Sequence, residues 1–469
     1  MPKWLVGFAL LWACLAACYQ HIPSPDLWWL LADGRLISQT GSIPNTDPFS
    51  WSARGLPWHN DQWLAGWLGF QVYRVAGLEG LHLAKALILT STLAVLLDTG
   101  RRLRSDGQTD WLLPALALSL FCAEGRYFFD VRAYLATYFG LALLWRWLQL
   151  QERLHPAAVF LLFMVWANLH GGVSSGLLLL GLTTLTRRSR HLFLMTGLAT
   201  LAACCNPSGI WLLLHPVRLL SSPWGLYLNE WVPAWRRPEL FGRMLAALGL
   251  AALWGWLARP RWGRDDLVLL LFALFSLTGW RHIPLFALLA LPRWCLHLRG
   301  PAWCCQLAAV ALLVQSGLKP LALTDPNQSL EMELPEGGRL PAFPVQACNW
   351  LAERPEFPQK LFHPYGMGGY LLWRGYQVTI DGRAVQVYPF ERYRDYLAAA
   401  LPYARPGDTQ TPQRFEAFCL KNEINMAMLS THGKEAGLWL VQSSKRWRPV
   451  YQDDLVTVVI TEQVQSFRR

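Results

Sequence analysis

The chain has 469 residues, of which 53% are hydrophobic and 16% charged, and it carries 26 tryptophans. This composition excludes a disordered chain, a collagen-like repeat and a small disulfide scaffold. It also argues against an ordinary soluble enzyme, in which roughly a quarter of the residues would be charged. The net charge of +11 lies wholly before Asp325: residues 1–324 hold 26 basic and 15 acidic side chains, and residues 325–469 hold 16 of each. The basic residues form short clusters between long apolar runs, a pattern that fits membrane spans and not a nucleic-acid interface.

In chain order the apolar runs are Trp4–Tyr19, Gly80–Leu97, Trp111–Cys122, Tyr134–Leu150, Pro156–Ala167, Val173–Leu185, Leu192–Cys205, Leu240–Leu257, Leu267–Thr278, Ile283–Leu296 and Ala302–Leu323. They predict a polytopic α-helical membrane protein of about 11 spans. Several runs are shorter than the roughly 20 residues of a straight crossing and must recruit their flanks. Arginines fall in alternate loops (Arg101, Arg102 and Arg104; Arg187, Arg188 and Arg190; Arg259, Arg261 and Arg264; Arg293 and Arg299). The positive-inside rule makes these loops cytoplasmic, as it does the N-terminus, and puts the C-terminal part outside. A second reading stands at the N-terminus: Leu15-Ala16-Ala17-Cys18 fits a lipoprotein cleavage box, which would lipidate Cys18 and remove the first span.

The expected division is a transmembrane domain, 1–324, with a long first outer loop at 22–78, followed by an extracytoplasmic α/β domain, 325–469. In the loop, Pro25 with Asp26 starts a helix that Gly34 or Gly41 would stop. Gln62–Val75 reads as an amphipathic helix. In the tail, Lys360–His363, Gln377–Ile380, Met426–Leu429, Pro449–Gln452 and Val456–Ile460 read as strands. Phe390–Leu401, Pro412–Leu420 and Lys434–Leu440 read as helices. Gly366–Gly369 is a tight turn into a helix, and Asp381-Gly382-Arg383 a turn. Of ten cysteines only Cys348 and Cys419 fall in the tail, where one disulfide is an open alternative to two free thiols. No Cys/His spacing indicates zinc.

Ionisable residues gather on the outer side: Asp26, Asp33, Asp47, His59 and Asp61 in the first loop; Arg126, Asp130 and Arg132 in the second; then Asn168 and His170, Glu230, and Arg281 with His282. Lys85 lies within an apolar run. Charges at membrane depth are costly unless paired or wetted, so they mark a candidate site.

Three segments carry a family resemblance: Asp26-Leu-Trp-Trp-Leu-Leu-Ala-Asp-Gly-Arg35, Ile43-Pro-Asn-Thr-Asp-Pro-Phe-Ser50 and Trp58 to Leu64. They resemble the first outer loop of bacterial GT-C-type membrane glycosyltransferases, relatives of protein O-mannosyltransferases and aminoarabinose transferases. Trp166-Ala-Asn-Leu-His-Gly-Gly172, Cys205-Asn-Pro-Ser-Gly209, Asn229-Glu-Trp-Val-Pro233, Gly368-Gly-Tyr-Leu-Leu-Trp373 and Asp381-Gly-Arg383 are similar to later segments of that group.

The resemblance implies a polyprenyl-phosphate-linked sugar as donor and Asp26 as catalytic base. It also implies acids from outer loops, here Asp47, Asp130 and Glu230, as a second acid or as ligands of a divalent metal. By itself Asp26 also fits the common use of Asp as a helix cap. A lipid-borne donor must react at the membrane surface, where phosphate leaves with its charge held by cations and one carboxylate takes the acceptor proton. The cations at hand are Lys85, Arg126, Arg132, Arg281 and His282. Trp28, Trp29, Trp58, His59, Asn168 and His170 are candidates to meet sugar or acceptor. The partners expected are membrane lipid, the donor and a glycan, lipid or protein acceptor, with no nucleic acid. Two rivals remain: a non-catalytic scaffold of the same shape bound to a protein partner, and a lipid or solute transporter.

Overall fold

The computed structural model describes residues 24–103, 130–150, 153–227, 231, 233, 236, 263–297, 331–333, 339–341, 343–400, 410–431 and 446–462. Four of the apolar runs (Trp4–Tyr19, Trp111–Cys122, Leu240–Leu257 and Ala302–Leu323), with Cys18 and the Lys434–Leu440 helix, lie outside the described residues. The rest of the chain divides into two compact units. One consists of described residues from Val75 to His297, the other of residues 24–74 with those from Glu331 onward.

The boundary lies within α2 (Trp63–Leu103), which follows α1 (Asp26–Thr40) in the chain. Two residues past Val75, Gly77 takes φ 61° and ψ −151°, so the segment is two helices in series. Only glycine reaches that region at little cost. Among the described helices, Trp63–Leu103 alone is long and apolar enough to cross a membrane by length and composition, with a mean hydropathy of 1.7 over its best window.

Every apolar run within the described residues is helical. Beyond α2 the first unit contains α3 (Leu135–Gln149), α4 (Pro156–Leu169), α5 (Val173–Arg187), α6 (Arg190–Ala203), α7 (Trp211–Ser221), α8 (Trp224–Tyr227), α9 (Arg264–Ser276) and α10 (Ile283–His297). Local chemistry sets their ends. Pro156 opens α4, where its missing N–H is no loss. The Ser189 hydroxyl accepts from Leu192 N–H at the start of α6. Asp266 accepts from Gly263 N–H at the start of α9.

Two tryptophans tie this core together. Trp145 is fully buried and donates its indole N–H to the Leu289 carbonyl of α10 at 2.8 Å. Trp166 lies in a slot that two glycines leave open: a Cβ at Gly140 or Gly176 would come within 2.7 or 2.5 Å of its ring.

The arginine clusters of alternate loops meet at one end of these helices. Arg146 and Arg102 pair with Asp98, Arg187 with Asp265 and Arg293 with Asp266. Arg187 also donates to the Leu148 carbonyl, joining the ends of α3 and α5.

In the second unit the tail adds a two-stranded ribbon, β1 (Glu331–Glu333) with β2 (Arg339–Pro341). Helices α11 (Val345–Ala352), α12 (Gly368–Trp373), α13 (Phe390–Ala399) and α14 (Gln410–Lys421) follow. Strands β3 (Met426–Ser430), β4 (Trp447–Gln452) and β5 (Val456–Thr461) complete it. The antiparallel order is β3-β5-β4. β5 is central and buried along its whole length, whereas Pro449 lies in an edge strand beside a register shift, where a residue without an N–H is tolerated.

The expected strands Lys360–His363 and Gln377–Ile380 appear only as single bridges, Lys360 to Gln377 and Phe362 to Ala427. Ser50 of the first loop bridges Val378 of the tail, and Trp51 N–H donates to the Val378 carbonyl at 3.2 Å. The first loop and the tail therefore share one fold. Cys348 and Cys419 are both free and buried, on α11 and α14. Burial pushes the Cys348 thiol up to about 12.

Candidate functional site

Helix α1 is closed at Gly41, whose left-handed φ of 66° suits a C-cap glycine. Its first turn meets α12 closely. A Cβ on Gly369 would come within 2.3 Å of the Pro25 carbonyl, and one on Gly382 within 1.9 Å of Asp26 Oδ1. These glycines explain the Gly368-Gly369 and Asp381-Gly382-Arg383 strings physically: backbone must approach where no side chain fits. Asp26 is half-buried, and Trp29 donates its indole N–H to Oδ1 at 3.2 Å. The carboxylate is thus oriented from two sides, by an indole and by a bare stretch of backbone.

Beside it, Asp381-Gly382-Arg383 is a turn, as its composition indicates, and also the centre of a buried ionic network. Arg383 is bidentate to Asp381, with Nε to Oδ1 at 2.9 Å and Nη2 to Oδ2 at 2.7 Å. Its Nη1 donates to Asp47 Oδ1 at 2.6 Å. Tyr388 O–H donates to Asp381 Oδ2 at 2.7 Å. Asp47 also accepts from Phe49 and Ser50 N–H and from the Ser50 hydroxyl. Trp58 and Phe49 cover the guanidinium, their ring centroids 4.8 and 5.2 Å from it. Burial by itself would raise the Asp381 carboxyl, but the charge and hydrogen bonds of Arg383 hold it below the ordinary range. Burial by itself would lower Arg383, and the charge of Asp381 raises it well above its usual value.

Asp33 is a different kind of carboxyl. It is fully enclosed, and Asn60 Nδ2 donates to its Oδ2 at 2.8 Å. Burial pushes it up to about 7, against the opposing effects of the Asn60 bond and the Arg383 charge. His363, also enclosed, accepts from Thr379 N–H at Nε2 (3.0 Å) and lies 2.9 Å from the Pro364 carbonyl through Nδ1. That pair of contacts fixes a neutral imidazole protonated on Nδ1, and burial lowers its pKa to about 4. His363 carries no motif and Asp33 is one of several acids in the first loop; enclosure is what distinguishes both.

The aromatic candidates of this unit are mostly walls. Trp28 is buried edge-on to Tyr370 and Phe343, with centroids 4.9 and 5.5 Å away. Trp29 is buried behind Asp26. Trp58 is buried over Arg383 and donates to Gln386 Oε1 at 3.3 Å. His59 is exposed.

In the first unit a second cluster forms from Trp166-Ala-Asn-Leu-His-Gly-Gly172. Asn168 Nδ2 donates to the Met164 and Cys205 carbonyls, both at 2.8 Å. Trp166 donates to Thr137 Oγ1 at 3.0 Å. Thr137 in turn lies 2.8 Å from His170 Nδ1, which also accepts from Gly172 N–H at 3.0 Å. Two donors converge on Nδ1, so the imidazole carries its proton on Nε2.

At the start of α10, His282 stacks on Phe275 at 4.2 Å and meets Trp231 edge-on at 5.7 Å. Arg281 covers the Trp231 ring at 4.5 Å. Arg132 covers Tyr134 at 5.5 Å, and Asp130 N–H donates to the Tyr134 hydroxyl at 3.2 Å. Lys85 is buried in the second half of α2. Arg126 and Glu230 lie outside the described residues. Among the described residues no three His, Cys, Asp or Glu side chains converge as a divalent-cation site requires, and Asp47 is already bound to Arg383.

The sequence matches no family profile and no curated protein. Solved structures do match. ArnT from Cupriavidus metallidurans, bound to undecaprenyl phosphate, aligns with a TM-score of 0.50 and 16% identity over 97% of this chain and 96% of that one. The archaeal oligosaccharyltransferase AglB from Archaeoglobus fulgidus, in complex with an inhibitory peptide and a dolichol-phosphate, aligns with 0.58 and 11% over 91% and 69%. The mycobacterial arabinofuranosyltransferase AftD aligns with 0.51 and 15% over 98% and 42%. At such identities the fold is what is shared, and it is the fold of the GT-C-type glycosyltransferases that the first outer loop resembles.

Proposed function

We propose that this chain is a polytopic membrane glycosyltransferase that moves a sugar from a polyprenyl-phosphate-linked donor to an extracytoplasmic acceptor, with inversion. It would lie in a bacterial inner membrane with its N-terminus cytoplasmic, residues 1–324 forming the transmembrane domain apart from the long outer loop at 22–78, whose residues 24–74 fold with the outer domain of residues 325–469. The reading is supported by a fold shared, over nearly the whole chain, with an enzyme solved bound to undecaprenyl phosphate. The observation that carries it in this chain is Asp26. It is half-buried at the first turn of α1, oriented by Trp29 and pressed against a glycine that admits no side chain.

In the proposed reaction an acceptor hydroxyl attacks the anomeric carbon from the face opposite the phosphate. The new C–O bond forms as the bond to the phosphate oxygen breaks, and the electron pair leaves with the phosphate. Asp26 takes the acceptor proton. Lys85, Arg126, Arg132, Arg281 and His282 are the groups assigned to the leaving charge. The acceptor is a hydroxyl-bearing glycan, lipid or protein.

Purified protein in proteoliposomes, supplied with a panel of polyprenyl-phosphate sugars and envelope acceptors, tests the reading. Turnover that falls at least a hundredfold in Asp26→Asn, with an unchanged unfolding temperature, supports it. Full turnover in that variant rejects Asp26 as base. An inactive wild type that co-purifies with an equimolar protein partner rejects the enzyme in favour of a scaffold.

A further inference from the structure

The second unit contains a cleft of about 360 Å³ that the reaction above does not use. It is built from both halves of that unit: the first loop contributes Trp51 and Arg54, the tail Lys360, Arg392 of α13 and Lys421 at the end of α14. Four cations thus face one depression, with Glu423 as the only carboxylate among its lining residues. Among the described residues none of the four makes an ion pair. In a tail with equal numbers of basic and acidic residues, this is a local concentration and not a diffuse bias.

The cleft also presents an aromatic platform. Trp51 is half-exposed, with the Lys360 ammonium 4.7 Å from its ring centroid and Phe418 edge-on at 6.3 Å. Ser52 and Asn422 add neutral polar groups to the wall. The loop bearing the indole is held by the Trp51–Val378 backbone bond and by the Ser50–Asp47 contacts, so the platform does not depend on a ligand for its position.

We propose that this cleft binds an anionic saccharide, a sugar bearing phosphate or carboxylate. The volume lies within the several-hundred Å³ range of small-molecule sites. Unpaired Lys and Arg supply the charge for an anion. An indole flanked by hydroxyl and amide groups gives the mixed apolar and polar surface that a sugar ring presents in turn. A site for inorganic anion would need the cations but not the indole. The inference stands independently of the glycosyl-transfer reading, because it is tested by binding alone.

The test is calorimetric titration of the full-length protein in nanodiscs of zwitterionic lipid with glucose 6-phosphate, glucuronate, glucose and inorganic phosphate. The expected result is saturable binding of the two anionic sugars and none of glucose. The variant Arg392→Ala/Lys421→Ala, which removes only exposed side chains, is expected to weaken binding at least tenfold with an unchanged unfolding temperature. Trp51→Leu, which keeps the cations, is expected to weaken both sugars while leaving inorganic phosphate unaffected. Equal affinity for inorganic phosphate and the sugars, or binding unchanged in the double variant, overturns the proposal. So does loss of sugar binding in nanodiscs rich in phosphatidylglycerol, which would assign the cleft to a lipid headgroup.

Discussion

Asp47 and Arg383, 336 positions apart in the chain, form a fully enclosed ion pair at 2.6 Å. Arg383 at the same time holds Asp381 in a two-point bond, so one guanidinium bridges carboxylates from the first loop and the tail. The planar fork of arginine suits this double duty and a single ammonium does not.

Removing that guanidinium leaves two carboxylates enclosed without a counter-charge. Arg383→Met is therefore expected to destabilise the second unit by about 3–5 kcal/mol, the usual cost of breaking a buried pair from one side. Arg383→Lys is expected to recover only part of it. Thermal unfolding in detergent, read alongside protease sensitivity of the first loop, checks both variants.

Asp33 gives a pH dependence of defined sign. Its folded carboxyl titrates at about 7, above an unfolded value of 3.8. Between those limits the folded state keeps a proton that the unfolded state has released, so this residue's contribution to stability falls as pH rises and levels off above about 7. Asp33→Asn abolishes the titration while retaining an oxygen for the Asn60 amide. Its unfolding temperature is expected to match wild type near pH 4 and to exceed it increasingly up to pH 7, by about 1.4 kcal/mol per pH unit at most. A constant difference across that range rejects the assignment.

Gly382→Ala tests the seat of Asp26. The added Cβ would lie 1.9 Å from Oδ1, so the carboxylate must move by about an ångström, a displacement able to cost on the order of a hundredfold in rate. Turnover is expected to fall by about that factor, whereas Gly366→Ala, where a Cβ meets nothing, is expected to leave it unchanged. The donor and acceptor assay described above provides the readout.

Gly140→Ala tests the first unit. The new methyl would press within 2.7 Å of the buried Trp166 ring. Overpacking of this kind costs about 1–3 kcal/mol, and a lower unfolding temperature with a disturbed Trp166–Thr137–His170 chain is the expected result. Gly181→Ala, with open space around its Cβ, serves as the control.

Local signals account well for local structure. Pro25 and Gly41 bracket α1 as their backbone preferences require, and the predicted helix from Phe390 and the strands at Met426 and Val456 form close to their expected bounds. The runs at Pro156, Val173 and Ile283 start their helices at the expected residue. The helix α11 at Val345 and the weakness of the Lys360 and Gln377 strands were not legible, because short segments take their state from neighbours rather than from propensity. Asp381 beside Gly382 reads as a turn residue and is one, and Asp47 turns the chain in the same way, each carboxylate accepting from the backbone N–H two residues on. The second role of Asp47 depends on Arg383, 336 positions away, which spacing along the chain cannot reveal. Trp28, Trp29 and Trp58 lie buried against Tyr370, Asp26 and Arg383, an environment that a string of letters does not distinguish from an exposed platform. Trp51, which does border open space, carried no motif at all.

The two-part origin of the second unit bears on how the protein is made. Its first portion, residues 24–74, leaves the ribosome well before Arg383 is synthesised, a delay on the order of tens of seconds at ordinary elongation rates. Throughout that interval Asp47 has no guanidinium to receive it, so the loop must be held unfinished until about the last fifth of translation. A nascent chain arrested before residue 383 should therefore expose this loop to added protease, and any chaperone that shields it becomes part of the assembly route.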